Sequence, residues 1–506
     1  MRRSLVALAA PALAASAFAG CSLIYNPNNL PDPRMIDAAL VDTNPCALEL
    51  DGVAPKFIEE GRGDLGSAPA LLVIHGNNIV NANLRIEVTG AAVHIEPITD
   101  AVASADHTYA AFSVTARVDS ALGKNGPVDI PLEITVTQDT PQDGSCMAAA
   151  SKTLSNKLVF RALPELTGAT TIAALEARYS KVDLANVAFG GSVPAVVSAV
   201  SSITMKAITA DASLTAPGPG GSQGSRTIGA CPTAGGGGGI GGDANLSSLI
   251  ADGGGGGGAG GVAPGVAGTT GSSGRGGTGG AQGIKSGSDR LEVLEASGAC
   301  AGGGGGLGGT LVLTHVGGPG GGGGGTVALV AGGNISVTSI SAKGGQGSPP
   351  AGSGGAGGGG GAGGNILMST DSGTLAITSV DVHGGTGGSP NGGGGAGGRF
   401  RWDAPGGAAP AGATRRGPSF AALATRVFTS SLPPLSVVGT SGEGVTIRVI
   451  DQNAQSYDGG HTSINNGRAS ITPALKPGFN QVCITLDGGV QEHPESDKCI
   501  EVAFLP

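Results

Sequence analysis

Gly325-Thr-Val-Ala-Leu-Val and the following Asn334-Ile-Ser-Val-Thr-Ser-Ile-Ser-Ala-Lys-Gly-Gly line up with Gly364-Asn-Ile-Leu-Met-Ser and Thr374-Leu-Ala-Ile-Thr-Ser-Val-Asp-Val-His-Gly-Gly, at a shift of 39 or 40 residues. In each copy Val, Ile and Leu alternate with Ser and Thr, the period-two pattern of a half-buried strand. One strand pair cannot bury its own apolar face, but stacked copies can. A repeat of this length therefore predicts a parallel β-helix or solenoid. Ser202 to Leu214 reads as an earlier, divergent coil, and the stretch from Leu163 as the entry and cap of the stack.

Around the repeat the chain is mostly glycine. Gly accounts for 98 of 506 residues, and runs begin at Gly235, Gly253, Gly302, Gly320 and Gly357. Ordinary proteins carry about 7%. No Phe, Trp or Tyr occurs from Gly190 to Arg399, so this region works with backbone and small side chains. Polyglycine without Cβ atoms can form polyproline II helices packed side by side. The similar run lengths, and Cys231 and Cys300 bracketing two of them, predict this order rather than floppy linkers. Leu311-Val-Leu-Thr-His reads as a further alternating strand, and Arg399-Phe-Arg-Trp-Asp as a closing strand with the single Trp.

The flanks have ordinary β composition. Residues 51–161 offer short alternating strands separated by Gly, Asn and Asp turns, the spacing of a β-sandwich. The loop Glu60-Gly-Arg-Gly-Asp-Leu-Gly, the turn His75-Gly-Asn-Asn-Ile and the late strand Glu133-Ile-Thr-Val-Thr resemble an IPT/TIG domain, a spacer or binding module of immunoglobulin-like fold. Residues 431–506 alternate likewise, and Pro473-Ala-Leu-Lys-Pro-Gly-Phe-Asn resembles the late turn of bacterial Ig-like domains. The expected class is all-β: two Ig-like sandwiches flanking a glycine-rich solenoid over 162–430. The Arg62-Gly-Asp tripeptide reads as a solvated turn.

The amino terminus carries an address. Arg2 and Arg3 precede an apolar run from Leu5 to Ala19, the order of a secretory signal over residues 1–20. The ending Phe18-Ala-Gly-Cys21 resembles the lipobox of bacterial lipoproteins, with Phe18 where that family usually has Leu. The resemblance implies lipidation at Cys21, and Ser22 after it implies sorting to the outer membrane. Residues 21–50, rich in Asn and Pro, then read as an extended tether. With Cys21 given to lipid, six of the seven cysteines remain: Cys46, Cys146, Cys231, Cys300, Cys483 and Cys499. They fall into three sequential pairs, although six cysteines allow fifteen connectivities. No two cysteines have C-x₂-C spacing, so disulfides are favoured over a metal site.

A net charge of −9 with 3% aromatics offers neither a phosphate-neutralising block nor a stacking platform, which excludes nucleic acid as an expected partner. Gly-x-Gly-x-x-Gly matches carry no information at this glycine content, and no nucleophile elbow or zinc motif occurs. No cofactor and no enzymatic activity are expected. The chain as a whole resembles glycine-rich surface lipoproteins of Gram-negative bacteria. That resemblance implies a structural or adhesive role, with membrane contact through the lipid and envelope polysaccharide or surface proteins as partners. A carbohydrate-binding protein is the alternative, with polysaccharide degradation less favoured.

Overall fold

The computed structural model describes residues 47–81, 83–118, 126–139, 150–168, 171–173, 178–231, 236–246, 251–272, 276–286, 288, 290–291, 294, 298–310, 312–489, 491 and 496–506. Among them every regular element is a strand. The repeat forms two parallel sheets. Thr326–Ala331 pairs with Asn365–Thr370, Thr326 beside Asn365, while Ile335–Ser341 pairs with Leu375–Asp381, Ile335 beside Leu375. The repeat shift in the sequence is thus the register of the two ladders. Ala195–Ala199 joins the first ladder and Ile203–Thr209 the second, so the expected entry segment contains full members of the stack. Within the entry segment Arg178–Tyr179 is also a strand.

Alternation sets which side chains face inward. Leu184, Met205, Val337 and Ile340 from one sheet meet Val197, Leu329, Met368 and Phe400 from the other, all buried in one core. Trp402 closes this core. Each fully buried side chain of this size contributes roughly 1.5–3 kcal/mol. The stack therefore holds without help from the glycine.

After Thr209, Ser341 and Asp381 the chain leaves the sheets as glycine segments, returning at Thr326, Asn365 and Arg399. Their backbone hydrogen bonds advance in steps of three. The N–H groups of Gly253, Gly256 and Ala259 donate to Gly354, Gly357 and Gly360; those of Gly254, Gly257 and Gly260 to Gly242, Gly239 and Gly236; those of Gly255 and Gly258 to Thr269 and Val266. Three further segments donate back, through Gly280 and Gly283, Gly303 and Gly306, and Gly393 and Ala396. Segment 253–261 thus has six bonded neighbours, running both parallel and antiparallel. Three residues per turn without internal bonds define a polyproline II helix. The glycine runs form a bundle of such helices.

Packing explains the composition. A Cβ at any glycine from Gly253 to Gly258 would lie under 3.0 Å from a neighbouring carbonyl oxygen. Surrounded segments must therefore be glycine at nearly every position. The exceptions Ala259 and Ala362 pack their methyls with Ala299 around Cys231 and Cys300. At the surface one position in three suffices: in Gly265-Val-Ala-Gly-Thr-Thr-Gly271 the end glycines are buried while Val266 and Thr269 are exposed. Those outer side chains end the lattice.

The flanking regions differ in detail from the expected sandwiches. In the amino-terminal region a single nine-stranded sheet wraps one core. Its ends are Glu49–Ala54 and Phe57–Glu59, neighbours in sequence, so it nearly closes on itself. The long strands Val128–Gln138 and Ala150–Ala162, with a register shift at Leu132/Glu133, curve from layer to layer without breaking the ladder. The carboxy-terminal region has a three-stranded and a five-stranded sheet enclosing a core of Val437, Val445, Val482 and Val502. It begins before residue 431: Ser419–Phe420 and Val427–Phe428 already pair with its strands.

Candidate functional site: the tip of the polyglycine bundle

Glycine segments join the sheets at one end of the bundle, so their turns collect at the other. The described turn residues 243–246, 251–252, 272, 276, 308–310, 312–317, 348–355 and 388–391 lie there, because they flank segments whose opposite ends lead back toward the sheets. They bind one another. Gly309 N–H donates to Ala251 at 2.9 Å, Gly253 N–H to Gly354 at 2.8 Å, and Leu307 N–H to the Asp243 carboxylate at 2.8 Å. Asn391 accepts from Thr269 Oγ1 at 3.0 Å, and Asp252 accepts from Ser272.

The turn 308–317 projects furthest in chemical character. The stretch Leu311–His315 reads as a strand of the stack, but only Thr314–His315 is one, antiparallel to Gly308–Gly309. Leu311 lies outside the described residues. Gly309, at φ 114°, allows the reversal. Val312 is then 95% exposed and Leu313 62%, with Val316 beside them. Alternation of the segment signalled burial, but among the described residues its one ladder is the short pairing with Gly308–Gly309. No family model, curated protein or solved structure matches the chain. The site is therefore read from its own geometry.

The cysteines fall as follows. Cys231 and Cys300 are joined by a disulfide, with 4.4 Å between Cα atoms, and it clips the segment before Cys231 to the one after Cys300. Cys483 and Cys499 face each other in adjacent strands and are also bonded. Cys21, Cys46 and Cys146 lie outside the described residues. Among the described residues no group of His, Cys, Asp or Glu is arranged to hold a metal ion. Trp402 is 5% exposed beneath the Arg416 guanidinium, 4.8 Å from the ring centroid, which leaves it no face for a sugar.

Sequence reasoning missed the joint that fixes the stack to both flanks. The loop Glu60–Gly66 lies across the turns of the stack: Leu65 O accepts from Asn334 N–H at 3.0 Å, and Gly66 O from Ser372 Oγ at 2.8 Å. Gly61, Gly63 and Gly66 all have φ between 83° and 93°, which a side chain would resist. Arg62 is no solvated turn residue. Its guanidinium pairs with Glu501 at 2.6 Å, and Glu501 also stands 3.7 Å from Arg426. Leu71, Val73 and Ala111 pack on Phe479, Ala503 and Leu505, so the amino-terminal sheet meets the carboxy-terminal sheets directly.

Charge at this joint is uneven. Arg178 grips Glu59, with Nε at 3.0 Å from both oxygens. Burial alone would raise the Glu59 carboxyl, but the charge and hydrogen bond of Arg178, backed by Arg62 and Arg161, outweigh it and lower its pKa. At Asp371 the balance reverses: burial outweighs the attraction of Lys498, Arg178 and Arg62, and the pKa is raised. Arg401 binds Asp403 through two 2.8 Å bonds, and both are fully buried.

Proposed function

We propose that this chain is a lipid-anchored, non-enzymatic protein of the cell envelope, in which two Ig-like regions and a β-solenoid carry a polyglycine bundle whose tip makes adhesive contact. The observation that carries this reading is the convergence of the bundle's turns on one end, topped by Val312 and Leu313. Exposed aliphatic side chains on a small, cohesive tip suit a contact point. The body beneath is mostly backbone and small residues, with single exposed aliphatic side chains such as Ile228, Val266 and Ile284. Lipidation at Cys21 and placement in the outer membrane rest on the resemblance of Phe18-Ala-Gly-Cys21 to a lipobox. An IPT/TIG-like amino-terminal region and a bacterial Ig-like carboxy-terminal region agree with that address. Partners on this reading are surface proteins or envelope polysaccharide. The burial of Trp402 weakens the carbohydrate-binding alternative.

The test uses beads coated with the full mature chain and the cells that produce it. Bead attachment should fall at least tenfold with Val312→Asp/Leu313→Asp, while the far-ultraviolet circular dichroism is unchanged. Attachment equal to the parent's would remove the tip from the contact. Labelling with a palmitate analogue, comparing the parent with Cys21→Ala, checks the anchor; an unlabelled parent would remove it.

A further inference from the structure

Between the closing strand and the carboxy-terminal sheets lies an open groove of about 470 Å³, lined by Pro405, Ala421, Leu423, Phe428, Pro434 and Arg468, among others. That volume is within the range of small-molecule clefts, about 300–1,000 Å³. Ala421, Leu423, Phe428 and Pro434 give the walls their apolar part, Thr425 and Ser436 add hydroxyls, and Arg468 is the one charged residue lining them. Backbone bonds to Asn465 fix the Arg468 backbone, while its guanidinium has no carboxylate partner among the described residues.

A second guanidinium stands close by. Arg416 donates through Nη2 to Ala404 O at 3.0 Å, next to the Pro405 wall, and stacks on Trp402. Its Nε is buried without a partner. Burial and the charge of Arg468 both push the Arg416 pKa down, against the pull of Asp403. Asp403 gives both oxygens to Arg401. Glu443 binds Arg415 through Oε1 at 2.5 Å, and its Oε2 has no hydrogen-bond partner among the described residues. The groove thus combines an exposed guanidinium, without a carboxylate partner among the described residues, with a partly apolar wall.

We propose that this groove binds a monomeric aliphatic carboxylate, its headgroup on Arg468 beside Arg416 and its chain along Ala421, Leu423 and Phe428. A guanidinium meets a carboxylate with two parallel charge-assisted hydrogen bonds, which an alcohol cannot reproduce. The inference is independent of the adhesive tip. It is tested on the full mature chain by titration with decanoate and with decanol, both below their aggregation limits. Calorimetry gives Kd, and the fluorescence of the single Trp402, beneath Arg416, reports on the site. Decanoate should bind at least tenfold more tightly than decanol. Arg468→Gln, at an exposed position, should erase that difference while decanol binding persists. Equal affinity for the two ligands, no binding of either, or unchanged decanoate binding in Arg468→Gln would overturn the proposal.

Discussion

Replacing Gly257 by alanine tests the packing of the bundle at its centre. A methyl there would press on the carbonyl oxygens of Ala281 and Gly280, which are backbone atoms and cannot rotate aside. Segment 277–283 would have to move. Its displacement strains the bonds Gly239 N–H to Ala281 O, at 2.7 Å, and Gly257 N–H to Gly239 O, at 2.8 Å. Overpacking costs about 1–3 kcal/mol, and each hydrogen bond contributes about 0.5–1.5 kcal/mol net. These sum to about 2–6 kcal/mol, and the expected loss is the middle of that range, about 3–4 kcal/mol. Melting is a poor readout, because a unit spanning Asn44–Pro506 shifts by only about 1 °C per kcal/mol. Amide hydrogen exchange is better, since every 1.4 kcal/mol is tenfold in an equilibrium. Protection of the amides from Gly253 to Gly261 should fall by about 10²–10³ in Gly257→Ala. The control is Gly406→Ala, where an added Cβ meets nothing within 4 Å. It should be neutral, or stabilise by up to about 1 kcal/mol through the unfolded chain. Equal protection in both variants would mean that the segments are not in close backbone contact, and the bundle would fall.

Removing the Cys231–Cys300 disulfide, with Ser at both positions, opens a loop of 69 residues and should lower stability by about 4 kcal/mol on chain entropy, against about 3 kcal/mol for the 16-residue Cys483–Cys499 loop; urea midpoints of the two variants rank them. Because the Asp371 pKa is raised in the fold, the folded chain binds more protons above the ordinary aspartate value, and stability falls as pH rises through that window. Asp371→Asn should therefore be more stable than the parent at pH 7 and equal to it near pH 3, as measured by urea unfolding at both values. Asn78 donates to Ala47 O at 2.9 Å and its own backbone carbonyl accepts from Gln138 Nε2 at 2.6 Å, so the described residue after Cys46 and one that lies eight positions before Cys146 share a partner. Peptide mapping without reductant should recover Cys46 and Cys146 in one linked species; two free thiols would refute the pairing.

The sequence made the ladders readable because the repeat shift is itself a register: Ile335 and Leu375 are equivalent by pattern and adjacent in space. The bundle was half legible. Glycine without Cβ pointed to packed polyproline II helices, but the period of three was hidden in the low complexity. In Gly277-Thr-Gly-Gly-Ala-Gln-Gly283 every third residue is a buried glycine, whereas Gly253 to Gly258 is unbroken. The number of glycines per triplet therefore reports how many sides of a segment are covered. Alternation at Val312 and Leu313 misled, since periodicity shows that a strand could form but not that a partner exists beside it. The docking of Arg62 on Glu501 was invisible for a related reason: each side chain is an ordinary surface charge until the two flanks meet.

That meeting bears on why the bundle stands. An inner glycine gains about one hydrogen bond, worth roughly 0.5–1.5 kcal/mol net. It loses roughly 0.5–1 kcal/mol more conformational freedom than alanine would. That excess comes on top of the roughly 1–2 kcal/mol of fixing any residue's backbone, so the hydrogen bond alone does not offset the cost, and almost no apolar surface helps, because the segments have almost no side chains. Stability must come from where the bundle is tied. Segments 342–348, 355–364, 382–388 and 392–398 leave or rejoin strands whose side chains form the main core, so the stack fixes their position and direction, and the segments of the insertion bond to them. The disulfide adds a tie in the insertion between Thr209 and Thr326, whose described strands join neither parallel sheet. The aliphatic core holds the stack, the stack aligns the glycine, and the aligned glycine carries Val312 and Leu313 on a backbone lattice.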